Sequence, residues 1–442
     1  MTGMETLMPG GELLYRLSCT YDRAGNRDGR EEQYRDAVSG SIHTAVTSYA
    51  YDSMGRLTGE TLDGETACYS YDHAGNRLTR TGAGRTEHYR YNSRNQLTEL
   101  DSTAGTVCYE YDPAGSLTAE VHTAQGGSAA ERTGYTYDAY NRNTSVCGAG
   151  YVQQNHYDAE GLRYAVTENG ETTNFVYRNG MPVSELDADK NPVRGYVLGN
   201  EYISQSDGTS FGYYLNDEQG SVRYLTGSDG SIRNHYRYSA FGETITAEET
   251  VPNRLRYNGQ MADGLTGLYY LRARYYNASL GRFTQEDVIY NDGLNLYVYC
   301  NSNPVMYSDP SGFAKQCDPK IGGEKDSKSG KATGKYQVGA YQDIKGVDGL
   351  DAHHVGQKAV MKKLVADYDE LTAPAINVPK LGHTKRHPER GIVSRSTKGI
   401  TNAGQLLARD LFELKRVYPD IPNSTLKELI DMNKKMYSEM RK

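Results

Sequence analysis

The sequence predicts a multidomain protein: a long all-β body of stacked hairpins ending near residue 313, then a small, mainly α domain. Three observations predict it. Tyrosine-led segments recur every twenty residues through the body. The composition is skewed to match, with 39 Tyr and 48 Gly against 6 Phe and no Trp in 442 residues. Tyr suits a half-buried pleated surface, and Gly supplies the positive φ of tight turns. The charge also divides: the chain carries −7 overall, but residues 314–442 hold 24 basic and 16 acidic residues, and residues 1–313 hold 25 and 40. A basic end on an acidic body points to two functions in one chain, the basic part suited to a polyanion such as nucleic acid.

The N-terminus, MTGMETLMPGGELLYRL, has no basic region followed by an apolar core, so no secretion signal is expected. No run of 18 apolar residues exists, so no membrane-spanning segment is expected. The six Cys (Cys19, Cys68, Cys108, Cys147, Cys300 and Cys317) show no CxxC spacing and read as free thiols or small buried hydrophobes.

Within residues 1–212, YDSMGRL, YDHAGNRL, YNSRNQL and YDPAGSL begin at Tyr51, Tyr71, Tyr91 and Tyr111. The series resumes at Tyr137, Tyr157 and Tyr177. A second Tyr often stands two positions earlier, as at Tyr49, Tyr69, Tyr89, Tyr109 and Tyr135, on the same face of a strand. Turn formers follow each leading Tyr, as in Asp52 to Gly55. A strand, a turn and a second strand fit the interval, and such a hairpin buries its face only by stacking on the next.

These segments resemble the YD repeats of the RHS family. The resemblance covers roughly residues 15–313 and implies a spiralling β-sheet that closes into a hollow shell. From residue 213 to 313 the sequence changes character, with YYLNDEQGSVRYLT, YSAFGE, GLYYLRARYYNASLGRFTQED and GLNLYVYCNSNPVMYSDPSGF. This stretch resembles the RHS-associated core, an aspartyl autoprotease that frees the domain behind it. By that resemblance Arg274 of RARYY, Asp287 of FTQED and Asp309 of SDPSGF are the catalytic arginine and carboxylates, and the cut falls between Phe313 and Ala314. Two close carboxylates make chemical sense, since like charges push their pKa values apart, leaving one acid and one base. The sequence departs from the family in having Val288, not Pro, after Asp287, and Phe313, not Leu, before the cut.

Residues 314–335 read as a polar linker and residues 336–442 as the C-terminal domain. Four of the chain's ten His lie between His353 and His387. The order is His353-His354 in GLDAHHVGQKA, Asn377 in the apolar run APAINVPK, then His383 and His387 in GHTKRHPERG. Two His at i and i+4 on one helical face can share a metal, and a third from elsewhere completes an open catalytic site. Along a strand His354 points away from His353 and is available as a general base. This order resembles the HNH (His-Me finger, ββα-metal) nucleases. The resemblance implies His354 as base, Asn377 as positioning residue, and His353, His383 and His387 as ligands of one divalent metal ion, a zinc-like transition metal or Mg2+. Asp351 is an alternative ligand. Leu406, Leu407, Leu411, Leu414 and Val417 predict a helix capped by Thr401 or Asn402 and stopped by Pro419. Leu426, Leu429, Ile430 and Met436 predict a second after Asn423 or Ser424.

The expected function is a polymorphic toxin whose tail hydrolyses the phosphodiesters of DNA or RNA after self-cleavage. It would leave a bacterial cell by a route without a signal peptide, act in the cytoplasm of a target cell, and be neutralised by an acidic cognate immunity protein. The alternative is a non-enzymatic cell-surface recognition or adhesion module with a degenerate tail.

Overall fold

The computed structural model describes residues 3–82, 84–127, 130–287, 295–313, 315–317, 336–345, 350–354, 358–365, 368–388, 390–393, 400, 402–418, 421 and 423–437. The chain forms two compact units, Met1–Gly323 and Glu324–Lys442.

The first unit is one antiparallel meander of 23 strands, from Gly3–Leu7 to Thr244–Glu249, each paired with the next in sequence. The twenty-residue repeat is its generator. Asp52 Oδ1 accepts from the N–H groups of Met54 and Arg56, closing the turn, and Asp138 and Asp158 do the same in theirs. The fourth residue after the leading Tyr has positive φ: Gly at 55, 75, 115 and 161, and Asn at 95 and 141. Asn tolerates this region better than other L-residues, so the repeat survives there without Gly.

Each leading Tyr falls at a β-bulge, with register shifts at Ala50/Tyr51, Ser70/Tyr71, Arg90/Tyr91, Thr136/Tyr137, His156/Tyr157 and Val176/Tyr177. A bulge re-aims a side chain and adds local twist. Here the re-aimed hydroxyl reaches the first carbonyl of a strand in the preceding hairpin. Tyr71 donates to Leu57 O, Tyr91 to Arg77 O, Tyr157 to Asn143 O and Tyr177 to Arg163 O, at 2.7–2.9 Å. Phe has no such donor, which explains the preference for Tyr.

The sheet does not end where the sequence changes character. Phe211–Asn216 and the three strands after it continue the meander to Glu249. The accumulated twist coils the sheet, so its late strands lie over its early ones. Arg223 pairs with Glu32 at 2.8 Å, Arg30 with Asp217 at 3.3 Å, and Tyr224 donates to Arg35 O. Ala240 N–H binds the buried Glu60 carboxyl at 2.8 Å.

Residues 253–287 and 295–313 fill the coil with a small four-stranded sheet and connecting turns. Their Tyr269, Tyr270, Tyr275, Tyr276 and Tyr299 pack with repeat residues such as Tyr89, Leu97 and Val166 in one core. The Arg163–Asp263 pair locks filler to repeats with two contacts, at 2.6 and 2.8 Å, both side chains fully buried. Cys19 and Cys300 are buried, and Cys68, Cys108 and Cys147 are exposed free thiols.

In the second unit the strand Pro374–Pro379 lies between Val338–Ala340 and Leu350–His354, antiparallel to both. The sequence predicts one short hairpin. Instead residues 355–373, including a helix, separate the two longer strands, and a third strand covers the other edge. Helices α1 (Tyr341–Ile344), α2 (Lys358–Leu364), α3 (Ala403–Val417) and α4 (Asn423–Met436) complete the unit. Asn402 caps α3, its side chain accepting from Gln405 N–H at 2.9 Å. Thr401 and Pro419 lie outside the described residues. Met361, Ile376, Val378, Leu406, Leu414 and Leu429 form the core. Among the described residues no helix is long and apolar enough to cross a membrane.

Candidate functional site

In the first unit Arg274, Asp287 and Asp309 converge. Arg274 Nη2 lies 2.8 Å from Asp287 Oδ2 and 3.8 Å from Asp309 Oδ2. Its guanidinium also stacks over the Phe283 ring, 3.6 Å from the centroid, which fixes its plane. All three residues are buried. The carboxyls differ in surroundings. Asp309 Oδ1 accepts from Ser311 N, Ser311 Oγ and Gly312 N at 2.9–3.1 Å. Burial raises the Asp309 pKa above the usual carboxylate range, the Arg274 charge and these hydrogen bonds opposing it without prevailing.

The backbone leading to Phe313 is clamped beside this pair. Arg274 Nε donates to Gly312 O, Arg272 Nη1 donates to Pro310 O, and Ala273 N–H bonds Ser311 O at 3.3 Å. Gly312 has φ +73, and a Cβ there would meet Leu271 O at 2.4 Å and Arg274 N at 2.9 Å. The chain passes so close to the arginine turn only because residue 312 lacks a side chain. A cavity of about 360 Å3, lined among others by Arg142, Glu160, Arg274, Asp287 and Phe313, opens onto the clamped segment. Ala314 and Val288 lie outside the described residues. Sequence reasoning missed Gly312 and Arg272, although the PSG and RAR segments that carry them were in view.

In the second unit His353 and His383 meet, Nδ1 to Nε2 at 2.9 Å, with rings at 89°. Asp351 Oδ2 lies 3.0 Å from His383 Nδ1 and 2.8 Å from Thr384 Oγ1. Burial disfavours the charged carboxyl of Asp351, but the bonds from His383 and Thr384 outweigh it and hold its pKa below the usual value. Asp351 and His353 share a strand face through period-2 alternation. A carboxylate only accepts, so His383 Nδ1 carries a proton in this contact. A carboxylate behind a histidine in this way orients metal-ligating imidazoles. Two nitrogens each about 2.0–2.1 Å from one ion and cis to each other stand about 3 Å apart, so His353 and His383 fit a shared metal.

His354 lies apart from that pair, stacked on Tyr341 at 4.1 Å with Nε2 2.8 Å from Glu370 O. A carbonyl only accepts, so Nε2 carries a proton in this contact. Asn377 is buried opposite Ala352 and donates to Ile344 O at 2.8 Å, tying the strand to α1. His387 is not on a helix with His383. Lys380 O accepts from His383, Thr384 and Lys385, and His387 pairs through its backbone with Gly391, whose φ is +75, while its Nδ1 accepts from Arg390 N–H at 3.2 Å. Gly382, Pro388 and Gly391 break the segment into turns, so the helical-face arrangement of His383 and His387 is not formed. Among the described residues no group of three or more His, Cys, Asp or Glu is gathered to hold a metal ion.

The chain is 35% identical over 193 residues to the tRNA3(Ser)-specific nuclease WapA of Bacillus spizizenii, covering 40% of this chain and 8% of that protein. It is 32% identical over 193 residues to the double-stranded DNA deaminase toxin A of Burkholderia cenocepacia, covering 41% of this chain and 12% of the other. The chain thus spans about a tenth of the length of these relatives. The crystal structure of TcdB2-TccC3 aligns with 70% of this chain and 22% of its own, at 18% identity and a TM-score of 0.35. Residues 4–125 and 196–305, more than half of the sequence, match the Teneurin YD-shell family, and the chain belongs to that family.

Proposed function

We propose that this is a polymorphic toxin of bacterial competition whose C-terminal unit is an HNH-type, metal-dependent endonuclease, released by self-cleavage after Phe313. The observation that carries the reading is the convergence of Asp351, His353 and His383 beside a differently engaged His354, in a basic stretch of chain. The relatives add support: one is named a tRNA nuclease and another a DNA deaminase over comparable stretches, as expected of a common scaffold carrying exchangeable chemistry.

In this reading His353 and His383 would hold the divalent ion, zinc-like or Mg2+, with Asp351 orienting His383; His387, held in its own turn with Gly391, would have to move to serve as third ligand. The bound ion supplies charge stabilisation at the phosphate and leaving oxygen. His354 Nδ1 takes the proton from the attacking water while Tyr341 and Glu370 O hold its ring, and Asn377 keeps the strand in place. In the shell, Asp287 activates water against the Phe313 carbonyl carbon and takes its proton. Asp309, whose pKa burial raises, gives a proton to the departing Ala314 nitrogen. Nucleic acid is the substrate and an acidic immunity protein the partner, with export by a route without a signal peptide and action in the target-cell cytoplasm.

The test is incubation of the full chain with plasmid and tRNA in the presence of Zn2+ or Mg2+. His354→Ala should retain metal and lose about 10²–10⁴-fold in cleavage. Cleavage by His354→Ala at the wild-type rate would refute the nuclease assignment and favour an adhesion module. Asp287→Asn and Asp309→Asn should keep the chain uncut. A wild-type chain that stays whole on prolonged incubation would refute self-cleavage.

A further inference from the structure

The outward face of α3 carries a residue that the fold does not explain. Phe412 is 70% exposed, while Leu406, Leu407, Leu414 and Val417 of the same helix are buried. Arg416, one turn further on the same face, reaches from the helix to the segment that carries His383. It donates to Arg390 O at 2.6 Å and Ile392 O at 2.9 Å, and Glu413 braces it at 2.6 Å. The segment also lies flush on the end of α3: a Cβ on Gly382 would meet Val417 Cγ1 at 2.5 Å. Phe412 therefore stands one helical turn before Arg416, the residue that reaches the segment. Leu381 and Ile392, at 46% and 37% exposure, add apolar surface along that segment. By sequence the segment from 380 to 393 carries Lys380, Lys385, Arg386 and Arg390 against one acidic residue, Glu389.

We propose that Phe412 is a base-stacking platform that selects single-stranded nucleic acid for the histidine site, an inference that rests on the nuclease reading. An exposed ring gains nothing from phosphate and cannot reach bases stacked inside a duplex. It can stack on an unpaired base while neighbouring Lys and Arg track the backbone. The net positive charge of the segment complements a polyanion. The contact of α3 with the segment that carries His383 favours substrate over a protein partner.

The experiment measures binding without cleavage, using the full chain in EDTA. Labelled RNA and DNA single strands of about 12 nucleotides, a length within the range one such surface spans, and duplexes of the same sequence are titrated by fluorescence anisotropy. Phe412→Ala and Phe412→Leu should each weaken single-strand binding about five- to hundredfold, the range expected for loss of one stacked base. Phe412→Tyr should stay near wild type, and duplex binding should not change. The better of the RNA and DNA arms identifies the source of the strand. Wild-type affinity in Phe412→Leu, or equal losses on duplex and single strand, would overturn the platform. A chain that binds strands in this pattern but never cuts them with metal restored would overturn the nuclease reading alone. A chain that cuts, with unchanged binding in the Phe412 variants, would overturn the platform alone.

Discussion

Gly312→Ala tests the shell site through its geometry, with every proposed catalytic side chain left in place. At φ +73 an L-residue costs about 1–2 kcal/mol on its own. The added Cβ would also sit 2.4 Å from Leu271 O, against an ordinary carbon–oxygen approach of about 3.3 Å, so the backbone must retreat by about 1 Å. That retreat moves the Gly312 carbonyl off Arg274 Nε and its N–H off Asp309 Oδ1. A misplacement of about 1 Å can cost about 10²-fold in rate. The assay follows conversion of the 442-residue chain into a fragment beginning at Ala314 by gel and N-terminal sequencing. Gly25→Ala is the control, since Gly25 also has positive φ but no atom stands within 4 Å of its added Cβ. Gly312→Ala should slow cleavage about a hundredfold and Gly25→Ala should not. Equal rates in Gly312→Ala and wild type would show that the clamp plays no part.

Two further outcomes concern the shell. Asp263→Asn leaves Arg163 buried without its counter-charge and should cost about 3–5 kcal/mol, lowering Tm of the first unit by roughly 5 °C; the double change Arg163→Leu, Asp263→Leu should recover most of it, and an unchanged Tm in the single variant would contradict the lock. Glu60 is pushed by burial from 4.5 up to about 7, against the Ala240 hydrogen bond and the Arg80 and Arg30 charges. The folded state thus holds the proton more tightly, so Glu60 contributes stability below about pH 4.5 that is lost as pH rises through 7. Glu60→Gln should therefore melt higher than wild type at pH 8, by up to about 3 kcal/mol, with the gap closing toward pH 4; a gap independent of pH would refute the assignment.

The repeats were legible because one residue type does several jobs at a fixed interval. The leading Tyr, the Asp that closes the turn and the positive-φ residue are all local, and locality is what a single sequence displays. The spacing did not display the reason for Tyr over Phe, because the hydroxyl's partner lies one hairpin back, 14 residues away at Tyr71, Tyr91, Tyr157 and Tyr177. The continuation of the sheet past Tyr213 was hidden because that stretch keeps strand pairing without the repeat's motif. At the shell site the Arg and both Asp were found by motif, but the close approach at Gly312 depends on tertiary contact with Leu271. In the tail, alternation along Leu350–His354 separated His353 from His354, but that the same strand sets Asp351 behind His383 shows only in the fold. The i, i+4 spacing of His383 and His387 misled, because Gly382, Pro388 and Gly391 favour turns over the helix that spacing presumes.

Pairing each strand with its immediate successor lets the sheet grow from its N-terminal end as the chain is synthesised, one short-range step at a time. The cleft around Arg274 obeys a different clock. Gln285 Nε2 binds Asn141 O across 144 residues, Tyr297 Oη binds Gly115 O across 182, and Leu117 N–H binds Thr284 O. None of these contacts can form before the repeats they touch have been laid down in register and the filler has threaded back among them. If the cleft cuts the chain, the cut records completed assembly: a slipped hairpin anywhere near residues 115–141 leaves the cargo attached. Severance then serves as proofreading, holding back release until repeats and filler stand in register.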